Sequence, residues 1–257
     1  MTTSPGMIAG SGLKRGAPAA IGVVRSEVFE RFRVLVVAGV TVGVLVVGVG
    51  SRLAMLLLRL TSPESVVGAT SDDGFTIGRF TLGGTYNLLL LGASVGIIGA
   101  AAYRAVAPWL LGPAWFRRLT TAVASGAVVG SMLVHSDGVD FRLLKPLWLA
   151  IGLFVALPAL FAVAIGLGVD RVASADSWTK VGRRRWALPL VLIAGFPLVL
   201  FIAVPALLVL AAWVPVRQSL TSIETVPLMM RVIIRSVWLA IAVAGLVALV
   251  RDVGELA

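Results

Sequence analysis

VLVVAGVTVGVLVVGVGSRLAMLLL, residues 34–58, is an apolar run with a single charged residue, Arg52. A membrane span needs about 20 apolar residues to cross a hydrocarbon core about 30 Å thick. No water is present there to bind backbone N–H and C=O groups, so the chain must satisfy them internally, as an α-helix does. This stretch therefore predicts a transmembrane helix.

Further apolar runs follow along the chain, at residues 86–107, 119–135, 147–169, 187–213 and 228–250. Hydrophobic residues make up 59% and charged residues 13% of the sequence, and the mean hydropathy is +1.02. Soluble proteins average about 45–50% apolar and about 25% charged residues. The sequence predicts an all-α membrane protein with a bundle of about six transmembrane helices in one domain, residues 26–257. Residues 1–25, rich in Gly, Ala, Ser, Thr and Pro, are predicted to form a disordered cytoplasmic tail.

The orientation follows from the basic residues, because loops rich in Lys and Arg stay in the cytoplasm. With six spans and the N-terminus inside, 14 of the 22 basic residues fall on the cytoplasmic side. The signal is clearest in the loop 170–186. We expect a multi-pass protein of the bacterial cytoplasmic (inner) membrane with its N-terminus and its C-terminus both in the cytoplasm.

Several kinds of chemistry are excluded by composition. The chain has no cysteine and one histidine, so thiolate chemistry, disulfides and a two-histidine metal site cannot occur within it. No nucleotide-binding loop or metalloprotease motif is present. We therefore expect a non-enzymatic protein with no cofactor and no metal. The net charge of +10 is attributed to membrane orientation and not to nucleic-acid binding.

Glycines spaced four apart occur in three predicted spans, at Gly39/Gly43, Gly92/Gly96 and Gly126/Gly130. This spacing lets two helix backbones approach closely. Two interpretations remain open from the sequence: packing within the bundle, or the interface of a homo-oligomer or of a membrane-protein partner.

The fifth predicted span contains Pro189, Pro197 and Pro205, with Gly195 just before the middle proline. An interior proline removes a backbone hydrogen bond and clashes with the preceding turn. We predict a bend or break near Gly195–Pro197. Broken helices often line binding sites in transporters, although proline also occurs in membrane helices without that role.

A basic cluster in the loop before the fifth span is predicted to face lipid headgroups. Anionic headgroups attract each nearby Lys or Arg by about 1 kcal/mol. Anionic lipids of the cytoplasmic leaflet are thus the expected partners, and a simple topology signal is the alternative. The cluster consists of Lys180, Arg183, Arg184 and Arg185.

Two predicted outer loops share a pattern of Ser-Asp, a nearby Gly, an aromatic residue and an Arg. Apolar and polar residues alternate around Phe75–Phe80 and Val139–Arg142, which suggests a small extracytoplasmic cap with short β-strands. Arginines near that side are expected to pair with loop carboxylates or to bind an anion. The candidate ligand-binding residues are Arg52, Arg231, Arg235, Asp72, Asp73, His135, Asp137 and Asp140.

The same two loops contain Asp72-Asp73-Gly74-Phe75-Thr76-Ile77-Gly78-Arg79-Phe80-Thr81-Leu82 and Val134-His135-Ser136-Asp137-Gly138-Val139-Asp140-Phe141. These blocks resemble those of uncharacterised multi-spanning membrane proteins of actinobacteria. The resemblance covers roughly residues 50–170. It implies a bacterial origin. It does not indicate any particular activity.

Two classes of function are compatible with these features. One is an accessory or structural component of the cell envelope that acts through its outer loop cap. The other is a transporter or binding protein for a small anionic solute or lipid, which would use the outer arginines and the kinked fifth span.

Overall fold

The computed structural model describes residues 16–66, 68, 80–110, 112–134, 141, 143–222 and 228–256. In this part of the chain the secondary structure is helical. The α-helices are α1 (Gly16–Val42), α2 (Gly50–Thr61), α3 (Leu82–Val106), α4 (Ala114–Leu133), α5 (Leu147–Ala173), α6 (Arg184–Gly195), α7 (Leu200–Ser222) and α8 (Leu228–Leu256).

The apolar run 34–58 lies within one continuous helical rod, which we call the N-terminal rod. It joins α1 to α2 through a π-helical segment, Gly43–Val49, and its membrane-compatible part covers Ser26–Thr61. The backbone is already helical from Gly16, whereas composition predicts a disordered tail through residue 25.

The N-terminal rod packs against α3 through the two glycine pairs. A Cβ atom added to Gly39 would lie 2.8 Å from the Cα atom of Ile97, and one added to Gly92 would lie 2.6 Å from the Gly43 carbonyl oxygen. Real Cβ atoms do not approach backbone so closely, so glycine is required on both helices. These two pairs therefore serve packing within the bundle.

α4 and α5 pack in a similar but looser way. A Cβ on Gly126 would lie 3.2 Å from the Val155 carbonyl oxygen, and one on Gly130 would lie 3.0 Å from Val155 Cγ2. The Ser125 hydroxyl donates a hydrogen bond to the Pro158 carbonyl at 3.0 Å. Such polar links between membrane helices stabilise a bundle modestly.

The break predicted from the prolines is confirmed. α6 and the helix that follows it are bent by 108° across Phe196, whose φ and ψ are −137° and 70°. Pro197 has no N–H to donate and disfavours the helical conformation of the preceding residue, so α6 ends before it.

Beyond the break, the chain turns back along the bundle. At the break, Ile193, Phe196 and Ala203 pack in one apolar cluster with the middle of α3. Leu188 of α6 and Leu210 of α7 both belong to another cluster, which contains Ala100 near the end of α3. α6 and α7 therefore form a hairpin whose two arms start and finish near the same end of the bundle.

α8 runs in the same direction as α4. A Cβ on Gly245 would lie 2.8 Å from the Val128 Cα atom, and Leu249 packs with Val134 and Leu58. α8 also contacts the 3₁₀ turn Ala107–Trp109, which follows α3.

Two ends of the bundle can now be defined. The distal end contains Leu58, Val134, Leu147 and Leu256, and the basic end contains Arg33, Arg118 and Arg185. Ser26 and Leu256 thus lie at opposite ends. The orientation of the two termini relative to a membrane stays a prediction.

Within the described residues, four helical segments are long and apolar enough to cross a membrane, or five if the bent pair counts as one span. The predicted number of six is not confirmed. α4 is outside this set because Arg117, Arg118 and several small polar residues lower its hydropathy. The described residues contain no β-strand, and most of the predicted cap, residues 69–79 and 135–140, lies outside them.

Candidate functional site

The predicted outer cluster is only partly described. Asp72, Asp73, His135, Asp137 and Asp140 lie outside the described residues, and the side chain of Arg231 is not described either. Arg52 lies on α2, where its guanidinium carbon is 5.8 Å from the centroid of the Phe80 ring. Arg235 lies on α8, seven residues after Leu228 at the helix start. The ligand-binding role of this cluster stays a prediction.

The most developed polar site lies instead at the basic end, around Arg33. This side chain is fully buried. Its Nε and Nη2 atoms donate to Glu30 Oε2 at 3.0 and 2.8 Å, and Nη2 also donates to the Val172 carbonyl at 3.0 Å. Nη1 donates to Thr179 Oγ1, and Thr179 is itself 2.8 Å from the Ser177 hydroxyl. A buried guanidinium needs many acceptors to offset its lost hydration, and it has them here.

The start of α6 is fastened to the same site. Glu30 Oε1 lies 3.4 Å from Arg185 Nη2, so Glu30 bridges two arginines. Phe29 stacks on Trp186 with ring centroids 3.8 Å apart, and the Arg185 guanidinium carbon lies 5.4 Å from the Phe29 centroid. Stacked rings and cation–π contacts stabilise such an arrangement by about 1 kcal/mol each. The loop 174–183 and α6 are therefore fixed to the N-terminal rod.

Two further members of the predicted basic cluster are exposed at the surface, and the third is held by the backbone. Arg183 and Arg184 are exposed, as are Trp178 and Trp186. The Arg184 guanidinium carbon lies 5.8 Å from the Trp178 centroid, and among the described residues neither Arg183 nor Arg184 has a carboxylate within salt-bridge distance. Lys180 donates to the Ala173 carbonyl at 3.0 Å, which closes the loop after α5. The four exposed residues near the start of α6 form what we call the α6 basic surface: Trp178, Arg183, Arg184 and Trp186.

A second polar group at the basic end links α3, α4 and α5. The Tyr103 hydroxyl donates to the Asp170 carboxylate, with both oxygens at 3.2 Å, and Asp170 Oδ2 lies 3.6 Å from Arg118 Nη2. The Asp170 side chain on α5 thus links α5 to both α3 and α4.

The described residues contain no group of His, Asp and Glu side chains suited to a metal ion. Ser125 donates its proton to a backbone carbonyl, and no described side chain is placed to act as its base. Exposed guanidinium groups and indole rings lie at the basic end, and groups of these kinds are chemically suited to contacts with anions.

Comparison with models of protein families, with curated proteins and with solved structures found no match. The resemblance to actinobacterial membrane proteins stays a prediction.

Proposed function

We propose that this chain is a non-enzymatic membrane protein that binds anionic phospholipid headgroups at its basic end. The observation that supports it best is the α6 basic surface. Arg183 and Arg184 lie at the start of α6, which has no side-chain cap and no acidic residue in its first turn. Phosphate groups favour such helix starts because free N–H groups and the helix dipole point at them. The exposed Trp178 and Trp186 suit the headgroup level of a bilayer.

Charge distribution supports placing the basic end in the cytoplasm of a bacterial cell. Among described residues, the basic end has many more arginines than carboxylates. The distal end has a more even balance, with the basic residues Arg52, Arg59, Lys145 and Arg251 and the acidic residues Glu64, Asp252 and Glu255. Because the α6–α7 hairpin starts and finishes near the basic end, it would dip into the membrane without crossing. In this topology the N-terminal rod starts inside and α8 ends outside.

Labelling of single cysteines tests the topology cleanly, since the chain has none of its own. Asp176→Cys should react with an impermeant maleimide only from the cytoplasmic side. Glu64→Cys and Glu255→Cys should react from the outside of intact cells. Cytoplasmic labelling at residue 255 would instead support the topology with both termini inside and refute the hairpin.

Lipid binding is tested in nanodiscs of phosphatidylcholine with or without phosphatidylglycerol. The full chain should retain phosphatidylglycerol in native mass spectrometry, and an Arg183→Gln/Arg184→Gln variant should lose most of it. Arg251→Gln, which removes an exposed arginine at the distal end, is the matched control. Equal retention by all three proteins would rule out headgroup recognition at α6.

A carrier of small anions is a second candidate, favoured by the 108° break in the proline-rich segment. The described surroundings of the break are apolar, with Val36, Val40, Ala93 and Ile97 buried beside it. Uptake of an anion by proteoliposomes, lost on Pro197→Ala, would support the carrier.

The envelope-accessory hypothesis depends on the outer cap and would be tested by deletion of residues 69–79.

A further inference from the structure

The α6 basic surface is assembled from two separate elements. Trp178 begins a 3₁₀ turn, whereas Arg183 and Arg184 lie at the start of α6. Gly182, with a φ of +56°, lies between the two elements, and nothing lies within 4 Å of a Cβ added there. The Arg184 guanidinium carbon nevertheless lies 5.8 Å from the Trp178 ring centroid. The surface therefore depends on a fixed separation between the turn and α6.

The 3₁₀ turn is fixed to the N-terminal rod through Thr179. Arg33 Nη1 donates to Thr179 Oγ1, which lies 2.8 Å from the Ser177 hydroxyl. Ser177 and Thr179 are both buried, whereas Trp178 between them is 52% exposed. Because both neighbours of Trp178 are held inside the protein, its indole ring is kept at the surface.

The start of α6 is fixed to the same part of the rod. Glu30 Oε1 lies 3.4 Å from Arg185 Nη2, and Glu30 Oε2 accepts from Arg33 Nη2 at 2.8 Å. Phe29 stacks on Trp186 with ring centroids 3.8 Å apart. Phe29 and Arg33 span only about 6 Å of the rod, at about 1.5 Å per residue. One turn of one helix therefore holds both elements of the surface.

Arg33 also holds the end of α5. Its Nη2 atom donates to the Val172 carbonyl at 3.0 Å, and Lys180 Nζ donates to the Ala173 carbonyl at 3.0 Å. The last carbonyls of a helix lack partners within it, and nearby cations stabilise them. Replacing Arg33 would therefore disturb α5 as well as the turn. A change at Thr179 acts on the link between the rod and the turn and leaves the bond to α5 in place.

We propose that Thr179 and Arg33 are positioning residues of the α6 basic surface, and that their hydrogen bond strengthens its preference for anionic headgroups. This inference rests on the lipid binding proposed above. Arg33 and Thr179 are 0% and 1% exposed, so they act through the exposed residues and not by touching the lipid. A turn that is free to move has to be ordered when a headgroup binds, and that ordering weakens binding. The bond to Arg33 orders the turn beforehand.

The test compares Thr179→Val, which keeps the shape of the side chain and removes its hydroxyl, with Thr179→Ser, which keeps the hydroxyl. Tyr103→Phe is the matched control, since it removes a hydroxyl hydrogen bond to Asp170 at the same end of the bundle. Amide hydrogen exchange of the full chain in a neutral detergent measures the order of residues 177–183. Native mass spectrometry from mixed nanodiscs measures the ratio of phosphatidylglycerol to phosphatidylcholine retained.

In Thr179→Val, amide exchange in residues 177–183 should rise, and the preference for phosphatidylglycerol should fall about three- to tenfold. Thr179→Ser and Tyr103→Phe should keep the preference of the unmodified chain. If Thr179→Val does not fold, Ser177→Ala takes its place, because it removes the hydroxyl beside Thr179, and the expected changes have the same direction.

The outcomes separate this inference from the proposed function. If exchange rises in Thr179→Val while the lipid preference stays unchanged, the link is structural only, and lipid binding at α6 still stands. Unchanged exchange in Thr179→Val, or an equal loss of preference in Tyr103→Phe, likewise overturns the positioning role alone. If the unmodified chain has no preference for phosphatidylglycerol, the proposed function fails and this inference fails with it.

Discussion

The N-terminal rod and α8 have similar apolar composition and very different surroundings. In the most apolar 18-residue stretch of the rod, 50% of the residues are buried inside the bundle. In the corresponding stretch of α8, 0% are buried. The rod contacts α3, α5, α6 and α7, while α8 has its main contact with α4. Hydropathy therefore does not distinguish a central membrane helix from a peripheral one.

The difference lies in small residues and in polar links. The rod meets α3 backbone to backbone through four glycines, and Arg33 ties it to the loop before α6. α8 offers one glycine, Gly245, at its contact with α4. Because lipid tails are as apolar as leucine, close packing and hydrogen bonds decide which helix lies at the centre of a membrane bundle.

The largest expected effect follows from substitution at the centre of the rod–α3 contact. Gly96→Leu would force side-chain atoms into the Gly39 backbone, whose carbonyl carbon is 2.8 Å from the position of a Cβ. We expect a loss of about 3 kcal/mol or more in the free energy of unfolding, or failure to fold. Unfolding in mixed micelles measures it. Gly152→Leu is the control, since nothing lies within 4 Å of a Cβ added at that position. Equal losses of unfolding free energy in both variants would mean that the rod–α3 contact does not require glycine.

The next largest effect is expected at Arg33. Arg33→Ala leaves the Thr179 hydroxyl and the Val172 carbonyl without their buried donor. Hydrogen bonds to charged groups contribute about 1.5–3 kcal/mol, so we expect a loss of about that size. Arg31→Ala removes a neighbouring arginine that pairs with Glu27, and should cost under about 1 kcal/mol. A larger loss at residue 31 than at residue 33 would contradict the role assigned to the buried site.

A smaller effect is expected at the tip of the hairpin. The Tyr86 hydroxyl donates to the Gly195 carbonyl at 3.1 Å, and its ring stacks on Phe196 at 5.9 Å between centroids. Tyr86→Phe should cost about 1 kcal/mol, because it removes the hydrogen bond and keeps the stacking. Thermal unfolding measures this, and Tyr86→Leu should cost more. If Tyr86→Leu left the unfolding temperature unchanged, α3 would not stabilise the tip of the hairpin.

The smallest effect is expected on α8, at the distal end. Arg251 pairs with Glu255 at 3.0 Å one turn later, and the Arg251 side chain is 78% exposed. Such pairs on a helix surface contribute about 0.3–0.5 kcal/mol. Arg251→Ala should leave the unfolding temperature almost unchanged. A drop as large as that of Arg33→Ala would remove the distinction between a central and a peripheral helix.

Part of the candidate site was predictable. The arginines at 183–185 with flanking tryptophans predicted a basic surface, and the structure has Arg183 and Arg184 exposed there. The role of Arg33 was missed, although Glu30 three residues earlier on one helix face is a signal for an ion pair. Nothing in the sequence connects Arg33 to Thr179, because the two residues are 146 positions apart.

The sequence by itself determined the helical class, the apolar segments long enough to cross a membrane, and the break before Pro197. Each of these follows from local physics: the length of an apolar run, the need to satisfy the backbone in lipid, and the missing N–H of proline. Only the tertiary structure decided that the broken segment returns to the basic end, so that α8 runs parallel to α4. A bend can be located from residue types, but its direction depends on which helix faces bury the two arms, and those contacts join residues far apart in the chain.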